Sequence, residues 1–417
     1  MLAPERRTRT DLIVAAALAV TVLVAASVIW LRSDARGTTS ITWDGAVAVP
    51  AAATAVPPAL TEVWRAASAA TARPLAVGGT VAIADGGTVV GRDLETGAEH
   101  WRYQRNMPLC AATAAWQTVV AVYRDRRGCS QVTQLTAASG ARGAQRASDA
   151  DDEIALVDAG THLISAGDRR LEMWRSDLVR TVEYGYLDAA VNPNAQPRTG
   201  CTLLSAGASA TRLTVVERCP GEAADRLTLL DPVPDDNQKP EEFASSVLAE
   251  STQDAVETPD TVGTQGTVGT RVVAVVDDRT ALYLPPGDGT GPRIRVFEGA
   301  GQTVGEYPLP RPATDAATVP ARTVDGTVTW WTGEDTIGFG PSDLAPRWTV
   351  PGTTGWGDSM AGSLLLPIDG ALAVVDPVSG ELRGRIPVDR DTPDPIAVTV
   401  AGGTVLEQRG DVVVALR

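Results

Sequence analysis

A strand–turn–strand unit recurs along this chain, and a repeat of this kind constrains the fold more than any other feature of the sequence. The clearest copy, residues 74–101, alternates apolar strands with glycine-containing turns at 85–87 and 95–97. Glycine favours tight hairpins at such points because the turn positions require positive φ. Repeated short antiparallel strands predict a β-propeller or an open solenoid.

A second clear copy covers residues 363–388 near the C-terminus. Both copies place an aspartate four residues before a glycine, at the turn that precedes the last strand of the unit. The first copy ends on a tryptophan in that strand. The residues predicted to be structural positions of the repeat are Asp93, Gly97, Trp101, Asp376 and Gly380.

Counting strands and turns gives seven complete units and the start of an eighth. The predicted boundaries are 75–105, 109–146, 153–183, 199–250, 263–310, 319–350, 356–388 and an eighth from Pro395. Residues 60–66 supply the strand that the last unit lacks, and Trp64 corresponds there to Trp101. Pairing this strand with the last one, near Val413, would close a ring and remove exposed sheet edges. We therefore predict an all-β propeller of about eight four-stranded blades; seven stays open because the fourth and fifth units are irregular.

An uncharged apolar run of twenty residues, 12–31, is long enough to cross the ~30 Å hydrocarbon core of a bilayer. Arg6, Arg7 and Arg9 precede it and favour a cytoplasmic N-terminus. A cleaved signal peptide is the alternative, and both readings place the rest of the chain outside the cytoplasm. The predicted arrangement in the plasma membrane is a cytoplasmic N-terminus (1–11), a single transmembrane helix (12–31), a linker (32–59) and an extracytoplasmic propeller (60–417).

The four cysteines fall into two pairs of similar spacing, Cys110 with Cys129 and Cys201 with Cys219. In each pair the first cysteine begins the innermost strand of a unit, and the second lies near a following turn. This shared position predicts two disulfides, which suit an oxidising compartment. Metal binding is the competing interpretation, but the chain has no CxxC spacing.

Composition argues against nucleic-acid binding and against several kinds of catalysis. The formal net charge of -15 repels nucleic acid and anionic head groups. Only two histidines are present, His100 and His162, and both are predicted to lie on the surface. Neighbouring acids along the chain diverge rather than face each other across a cleft, so solvated loops are predicted for 151–153, 235–236, 241–242 and 277–278. We expect no enzyme activity, no cofactor and no metal site.

The pattern from Val81 to Trp101, with its echo from Leu364 to Arg383, resembles the quinoprotein-like propeller family, whose repeats are also called PQQ-like. The resemblance implies four strands per blade. The family includes an eight-bladed lipoprotein of the outer-membrane β-barrel assembly machinery and dehydrogenases with a quinone cofactor. The dehydrogenases would imply a stacking tryptophan, a calcium site and a catalytic aspartate in the central funnel. These cannot be assigned to particular residues here, and the adjacent cysteines typical of those enzymes are absent.

Two insertions interrupt the blade spacing, at 185–200 and at 231–242, the second with a polar flank that continues to Thr270. Loops on a rigid scaffold often carry recognition, although a tolerated surface insertion is the alternative. Trp330 and Trp331 are neighbours on one strand, so their side chains face opposite sides of the sheet. Either one of them is exposed and available for recognition, or both pack in the core. The predicted function is a scaffold that binds envelope proteins. The alternatives are an envelope enzyme or ligand sensor that uses the central funnel, and a structural spacer.

Overall fold

The computed structural model describes residues 8–188, 192–248, 269–287, 289–314, 319–390 and 395–417. The first part of the predicted cytoplasmic N-terminus, 1–7, therefore lies outside the described residues. So does most of the polar flank of the second insertion, 249–268.

Helix α1 (Arg9–Leu31) contains the predicted transmembrane run. Thr8 caps it, because the Thr8 hydroxyl accepts a hydrogen bond from the Asp11 amide and the Asp11 carboxylate accepts one from the Thr8 amide. Every side chain of the helix is exposed, and the apolar residues occupy all of its faces. The helix is long and apolar enough to cross a membrane, as a signal sequence would also be.

Eight sheets follow one another along the chain, and each contains the four antiparallel strands of a propeller blade. The prediction of a propeller with eight blades is confirmed, and the alternative of seven blades is wrong. Blade 1 contains β3 (Leu75–Val77), β4 (Thr80–Asp85), β5 (Thr88–Asp93) and β6 (Glu99–Gln104); blade 2 contains β7 (Leu109–Ala115), β8 (Thr118–Asp125), β9 (Gly128–Thr136) and β10 (Arg142–Ala147); blade 3 contains β11 (Ala155–Asp158), β12 (Leu163–Ala166), β13 (Arg170–Trp174) and β14 (Arg180–Gly185); blade 4 contains β15 (Thr202–Ala208), β16 (Leu213–Arg218), β17 (Arg226–Leu230) and β18 (Glu242–Val247).

The remaining four blades follow the same order, except that the last one borrows its outer strand from the start of the propeller. Blade 5 contains β19 (Arg271–Val276), β20 (Arg279–Leu284), β21 (Arg293–Phe297) and β22 (Thr303–Pro308); blade 6 contains β23 (Arg322–Val324), β24 (Thr327–Trp331), β25 (Asp335–Phe339) and β26 (Pro346–Pro351); blade 7 contains β28 (Asp358–Met360), β29 (Ser363–Ile368), β30 (Ala371–Val375) and β31 (Leu382–Pro387); blade 8 contains β32 (Ile396–Ala401), β33 (Thr404–Arg409), β34 (Val412–Leu416) and β2 (Glu62–Ala67). Two short strands, β1 (Thr39–Ile41) and β27 (Gly355–Trp356), add to blades 1 and 8.

Strand direction places all the segments that join consecutive blades on one face of the ring. The four strands of a blade alternate in direction, so the inner strand begins on the same face on which the outer strand ends. We call this the connection face. It carries, for example, residues 105–108 between blades 1 and 2. The turns between the first and second strands of each blade lie on the opposite face.

The ring closes because β2 completes the sheet of β34. Trp64 lies opposite Ala415, and Ala66 lies opposite Val413. Val413 is fully buried and packs with residues of blade 1, including Val81 and Val90. The strand predicted from sequence to close the ring thus occupies that position. The ring cannot open without breaking a sheet that contains both ends of the propeller.

Three tryptophans on outer strands join neighbouring blades. Each indole N–H donates to a backbone carbonyl in the last turn of the next blade. The pairs are Trp64 with Leu94 at 3.1 Å, Trp101 with Ala137 at 2.7 Å, and Trp348 with Pro377 at 3.1 Å.

The glycines of the repeat lie under these indole rings. A Cβ added to Gly97, Gly140 or Gly380 would lie 2.6–2.7 Å from the ring of Trp64, Trp101 or Trp348. All three glycines have φ near +70°. Asp93 and Asp376 hold the same turns, since each carboxylate accepts two backbone N–H groups. The repeated spacing of aspartate, glycine and tryptophan therefore has one cause, the contact between adjacent blades.

The structure departs from the predicted linker, because much of segment 32–59 packs on the propeller. Strand β1 pairs with the outer edge of blade 1, where Ser40 lies opposite Tyr103. Further on, the Trp43 ring stacks on His100 with 4.5 Å between centroids. Ala53 and Val56 pack against the core of blades 7 and 8. The apolar side chains of this segment thus bury surface, and His100, which was predicted to lie on the surface, is partly buried by the Trp43 ring.

Alanine substitution at the repeat glycines tests the contact between blades. Gly97→Ala and Gly380→Ala should each destabilise the protein by more than Gly370→Ala. All three residues have positive φ, which costs an alanine roughly 1–2 kcal/mol, but nothing lies within 4 Å of a Cβ at Gly370. The clash with the indole should add about 1 kcal/mol or more.

Urea unfolding of the detergent-solubilised full-length variants measures these differences. Equal losses at all three positions would show that indole packing is not the reason for the glycines.

Candidate functional site

The two predicted insertions meet at the rim between blades 3 and 4. The Asn237 carbonyl accepts a 2.9 Å hydrogen bond from the Glu183 amide of β14. The Gln196 amide nitrogen donates to the carbonyls of Glu183 and Gln238, both at 3.1 Å. Asn192 donates to the Gln238 side chain at 2.9 Å. We call the residues 192–201 and 231–242 the rim block. In the rim block, residues of the two insertions are joined by hydrogen bonds.

The rim block covers the outer edge of blade 3. Val182 and Tyr184 of β14 are fully buried, and all of this strand after Arg180 is buried. By contrast, the outer strands β10, β22 and β26 alternate between exposed and partly buried residues. The main chain of Asn237 already pairs with β14. The edge of blade 3 is therefore occupied by the protein's own loop.

Buried ion pairs hold β13 and β14 beneath the rim block. The Glu172 carboxylate accepts from Arg146 at 3.0 Å, from Arg170 at 2.7 Å and from Arg180 at 3.2 Å. The Trp174 indole also donates to it at 2.9 Å. Burial by itself would raise the pKa of Glu172, but the arginines outweigh burial and lower this pKa to about 2. Glu183, which contacts Arg180, has a raised pKa because burial dominates there.

A second buried network ties the first insertion to blade 4. Glu217 is fully buried and accepts hydrogen bonds from the Tyr184 hydroxyl at 2.9 Å and the Thr228 hydroxyl at 2.6 Å. Arg198 of the rim block lies 3.4 Å from Glu217 and also pairs with Glu242 of β18. Burial raises the pKa of Glu217. These polar side chains form hydrogen bonds and ion pairs with one another, and these contacts hold the rim block against blade 4.

Apolar side chains remain exposed on and beside the rim block. Val233 is 55% exposed, and Phe243, at the start of β18, is 50% exposed. The Arg212 guanidinium lies 3.7 Å from the centroid of the Phe243 ring. The rim thus presents a fixed surface with apolar and charged groups side by side, which is typical of protein-binding surfaces.

The structure contains two disulfides, Cys110–Cys129 and Cys201–Cys219, which is the predicted pairing. The first joins the inner strand of blade 2 to its third strand, and the second joins the ends of the β15–β16 hairpin. In the described part of the chain, one cluster has the composition of a metal site: Cys201, Cys219 and the carboxylate of Glu217. The two sulfur atoms are bonded to each other, so neither is a thiolate that could bind metal.

The inner strands surround a central cavity of about 450 Å³. Most of its wall is apolar, with Leu75, Ile154 and Trp356 among the lining residues. Its charged lining residues among those described are Arg73, Arg322 and Asp158. A smaller space of about 290 Å³ adjoins it, shares Ile154 and Pro320, and is lined by Arg271.

Two arginines that line these spaces, Arg73 and Arg271, have lowered pKa values. The Arg73 guanidinium lies 3.9 Å from the Asp158 carboxylate, at the limit of an ion pair. Burial and the nearby charge of Arg322 lower the pKa of Arg73 to about 10. Burial likewise lowers the pKa of Arg271 to about 10.

The cavity residues do not fit the calcium and quinone site that the sequence resemblance would imply. Calcium takes six to eight oxygen ligands. Asp158 is the one carboxylate among the described residues that line the larger cavity, and it faces Arg73. The Trp356 ring packs edge-on against Trp331, 4.8 Å between centroids.

Other residues singled out from the sequence have structural roles. His162 is buried, contrary to the prediction, and burial lowers its pKa. Trp330 and Trp331 are both buried, so neither is an exposed recognition residue. Asp151 does not lie in a solvated loop, since its carboxylate accepts from the backbone amides of Arg169 and Arg170.

The insertions of the rim block were indicated by the sequence as candidate recognition loops, but their contact with each other and the cavity arginines were missed. Asn237 and Glu183 are far apart in the chain, as are Arg73 and Arg322, and no local pattern joins them. The interruption of blade spacing did indicate the rim.

Solved structures with a similar fold include quinoprotein-type propellers. BamB from Moraxella catarrhalis matches with a TM-score of 0.51 and 13% identity, over 86% of this chain and 99% of that one. Quinohemoprotein alcohol dehydrogenase from Comamonas testosteroni matches with a TM-score of 0.50 and 12% identity, over 88% of this chain and 78% of that one. The chain shares the β-propeller fold of these structures.

The computationally designed protein Ika8 also matches, with a TM-score of 0.51 and 12% identity, over 88% of this chain and 99% of that one. No protein-family model matches the chain. No curated protein matches its sequence. At these identities the comparisons show the fold, and the site must be argued from its own residues.

Replacing Glu172 by glutamine tests the ionic network under the rim block. At pH 7 we expect Glu172→Gln to cost about 3 kcal/mol, because the buried arginines lose their counter-charge. Glu172 has a folded pKa of about 2, below its ordinary value of 4.5. Its contribution is therefore complete above about pH 5 and is lost as the pH falls towards 2.

The stability difference between wild type and variant, measured by urea unfolding, should narrow over the same pH range. Glu99→Gln is the matched control, since Glu99 pairs with Arg102 on the surface and its loss should cost less than about 1 kcal/mol. A difference that does not change with pH would contradict the proposed charge network.

Proposed function

We propose that this protein is a non-enzymatic scaffold, anchored in the plasma membrane by α1, that binds another envelope protein outside the cytoplasm. The observation that carries the proposal is the rim block. Two long insertions, which a propeller does not need for closure, are fixed together by side-chain and main-chain hydrogen bonds on one part of the rim. A pre-ordered surface of this kind binds with little loss of conformational entropy.

The exposed groups of the rim favour a protein partner. Val233 and Phe243 supply apolar area, and the acids around 235–242 supply charge at its edge. Polar rims around apolar contacts are common at protein interfaces. The fold itself is shared by BamB and by a quinohemoprotein alcohol dehydrogenase, so the proposal depends on the residues of the rim block.

The environment of the carboxylates near the rim favours a non-enzymatic role. The buried carboxylates of Glu172 and Glu183 beneath the rim block pair with arginines, and Glu217 is enclosed by Tyr184, Thr228 and Arg198. A catalytic carboxylate would need access to a substrate.

Crosslinking in membranes tests the proposal. Tagged full-length protein, Val233→Asp and Val304→Asp would be captured after mild crosslinking, and the co-purified proteins would be identified by mass spectrometry. Val304→Asp is the matched control, because Val304 is 48% exposed on the outer strand of blade 5 and is not part of the rim block. We expect a specific envelope protein with wild type and Val304→Asp, and at least a tenfold loss with Val233→Asp.

Equal recovery of the envelope protein with Val233→Asp and Val304→Asp would show that the binding surface lies outside the rim block. Recovery of nothing beyond an unrelated membrane-anchored control would contradict the scaffold function.

A further inference from the structure

The central cavity combines an apolar wall with two arginines, and no residue of the rim block lines it. Arg73 and Arg322 both line it, and Asp158 is the single carboxylate among its described lining residues. The space of about 450 Å³ is in the range of small-molecule sites, which are mostly apolar with a few polar groups that fix orientation.

Arg322 has no counter-charge among the described residues, since none of their carboxylates lies within 4.0 Å of its guanidinium. The Arg73 guanidinium lies 3.9 Å from the Asp158 carboxylate, and the more distant Asp358 also favours its charged form. Two guanidinium groups facing one low-polarity space repel each other, and an oxyanion between them would relieve that repulsion. Guanidinium groups bind phosphate and carboxylate groups through paired hydrogen bonds.

Arg73 and Arg322 lie on the connection face, which is also the face that the segment following α1 contacts. Arg73 lies in the connection between blades 8 and 1, and Arg322 begins β23 directly after the connection between blades 5 and 6. Gly37 lies against Asn106, in the connection between blades 1 and 2. All three positions are on the connection face.

The distance from the helix to this face is short. Only residues 32–38 separate α1 from β1, and a fully extended chain of that length spans at most about 25 Å. The connection face is thus the part of the propeller that the chain holds near the membrane.

We infer that the central cavity binds an amphiphilic anion, with its phosphate or carboxylate between Arg73 and Arg322 and its apolar part against the wall that includes Leu75, Ile154 and Trp356. The same chemistry occurs in a lipid head group and in a free organic anion. The short tether and the shared face favour delivery from the membrane side. This inference is independent of the rim block and of the protein partner.

Binding to the full-length protein in nanodiscs of neutral phosphatidylcholine tests the inference. The probes are octyl phosphate, inorganic phosphate and octyl glucoside, a neutral amphiphile with the same chain. Tryptophan fluorescence and the thermal unfolding midpoint report binding. We expect octyl phosphate to bind and to raise the midpoint, and octyl glucoside to do neither.

The variant Arg322→Gln should weaken octyl phosphate binding at least tenfold, whereas Arg142→Gln, on the exposed rim of blade 2, should leave it unchanged. Without ligand, Arg322→Gln should fold and be at least as stable as wild type, because it removes a repulsion. A purely structural arginine would instead lower the unfolding midpoint of the free protein.

Two further comparisons distinguish a soluble organic anion from a membrane lipid as the source of the ligand. Binding of inorganic phosphate as tight as that of octyl phosphate would support a soluble anion. Tighter binding of octyl phosphate, or a raised midpoint in nanodiscs that contain anionic lipid, would support a membrane source. The inference would be overturned by octyl phosphate that does not bind, or that binds Arg322→Gln as tightly as wild type.

Discussion

The pairing of β2 with β34 is the constraint on which the rest of the structure depends. A propeller blade buries its faces only against its neighbours, so an open ring would leave two sheets exposed. Here the first and last strands of the propeller share one sheet, with Ala66 opposite Val413. Trp64 of the same strand reaches across to the last turn of blade 1. The short strand β2 therefore completes blade 8 and also contacts blade 1.

Because closure fixes the ring, the protein can vary elsewhere without losing its architecture. Blade 4 tolerates a long turn between β17 and β18, and blades 3 and 4 tolerate a long connection. These segments do not close the ring, yet they are ordered by contacts with β14 and β18. Arg73 and Arg322 lie on the connection face of this ring, and both line the central cavity. The closed ring thus presents two different surfaces, the rim block and the central cavity, for which we propose different ligands.

Local chemistry made most of the fold predictable. Turn glycines with positive φ, such as Gly97 and Gly380, mark hairpins in any context, and the alternation of apolar residues marks the strands. The predicted blade boundaries therefore lie close to the observed ones.

Contacts between distant residues could not be predicted in the same way. Strand β1 has three residues and forms only because the edge of β6 is available, and Trp43 is ordered by His100. The burial of His162 and the convergence of the cavity arginines likewise depend on tertiary packing. The sequence indicated that the insertions at 185–200 and 231–242 were unusual, but their mutual hydrogen bonds could be seen only in the fold.

Hydrogen exchange of the full-length protein, read by mass spectrometry for the amides of β33 and β34, tests ring closure most directly. If β2 closes the ring, the amides of 412–416 are interior to a complete sheet, and they should exchange as slowly as those of 404–409, through global unfolding. If β34 were instead a free edge at the end of the chain, the amides of 412–416 would exchange orders of magnitude faster by local fraying. That result would contradict the closed ring.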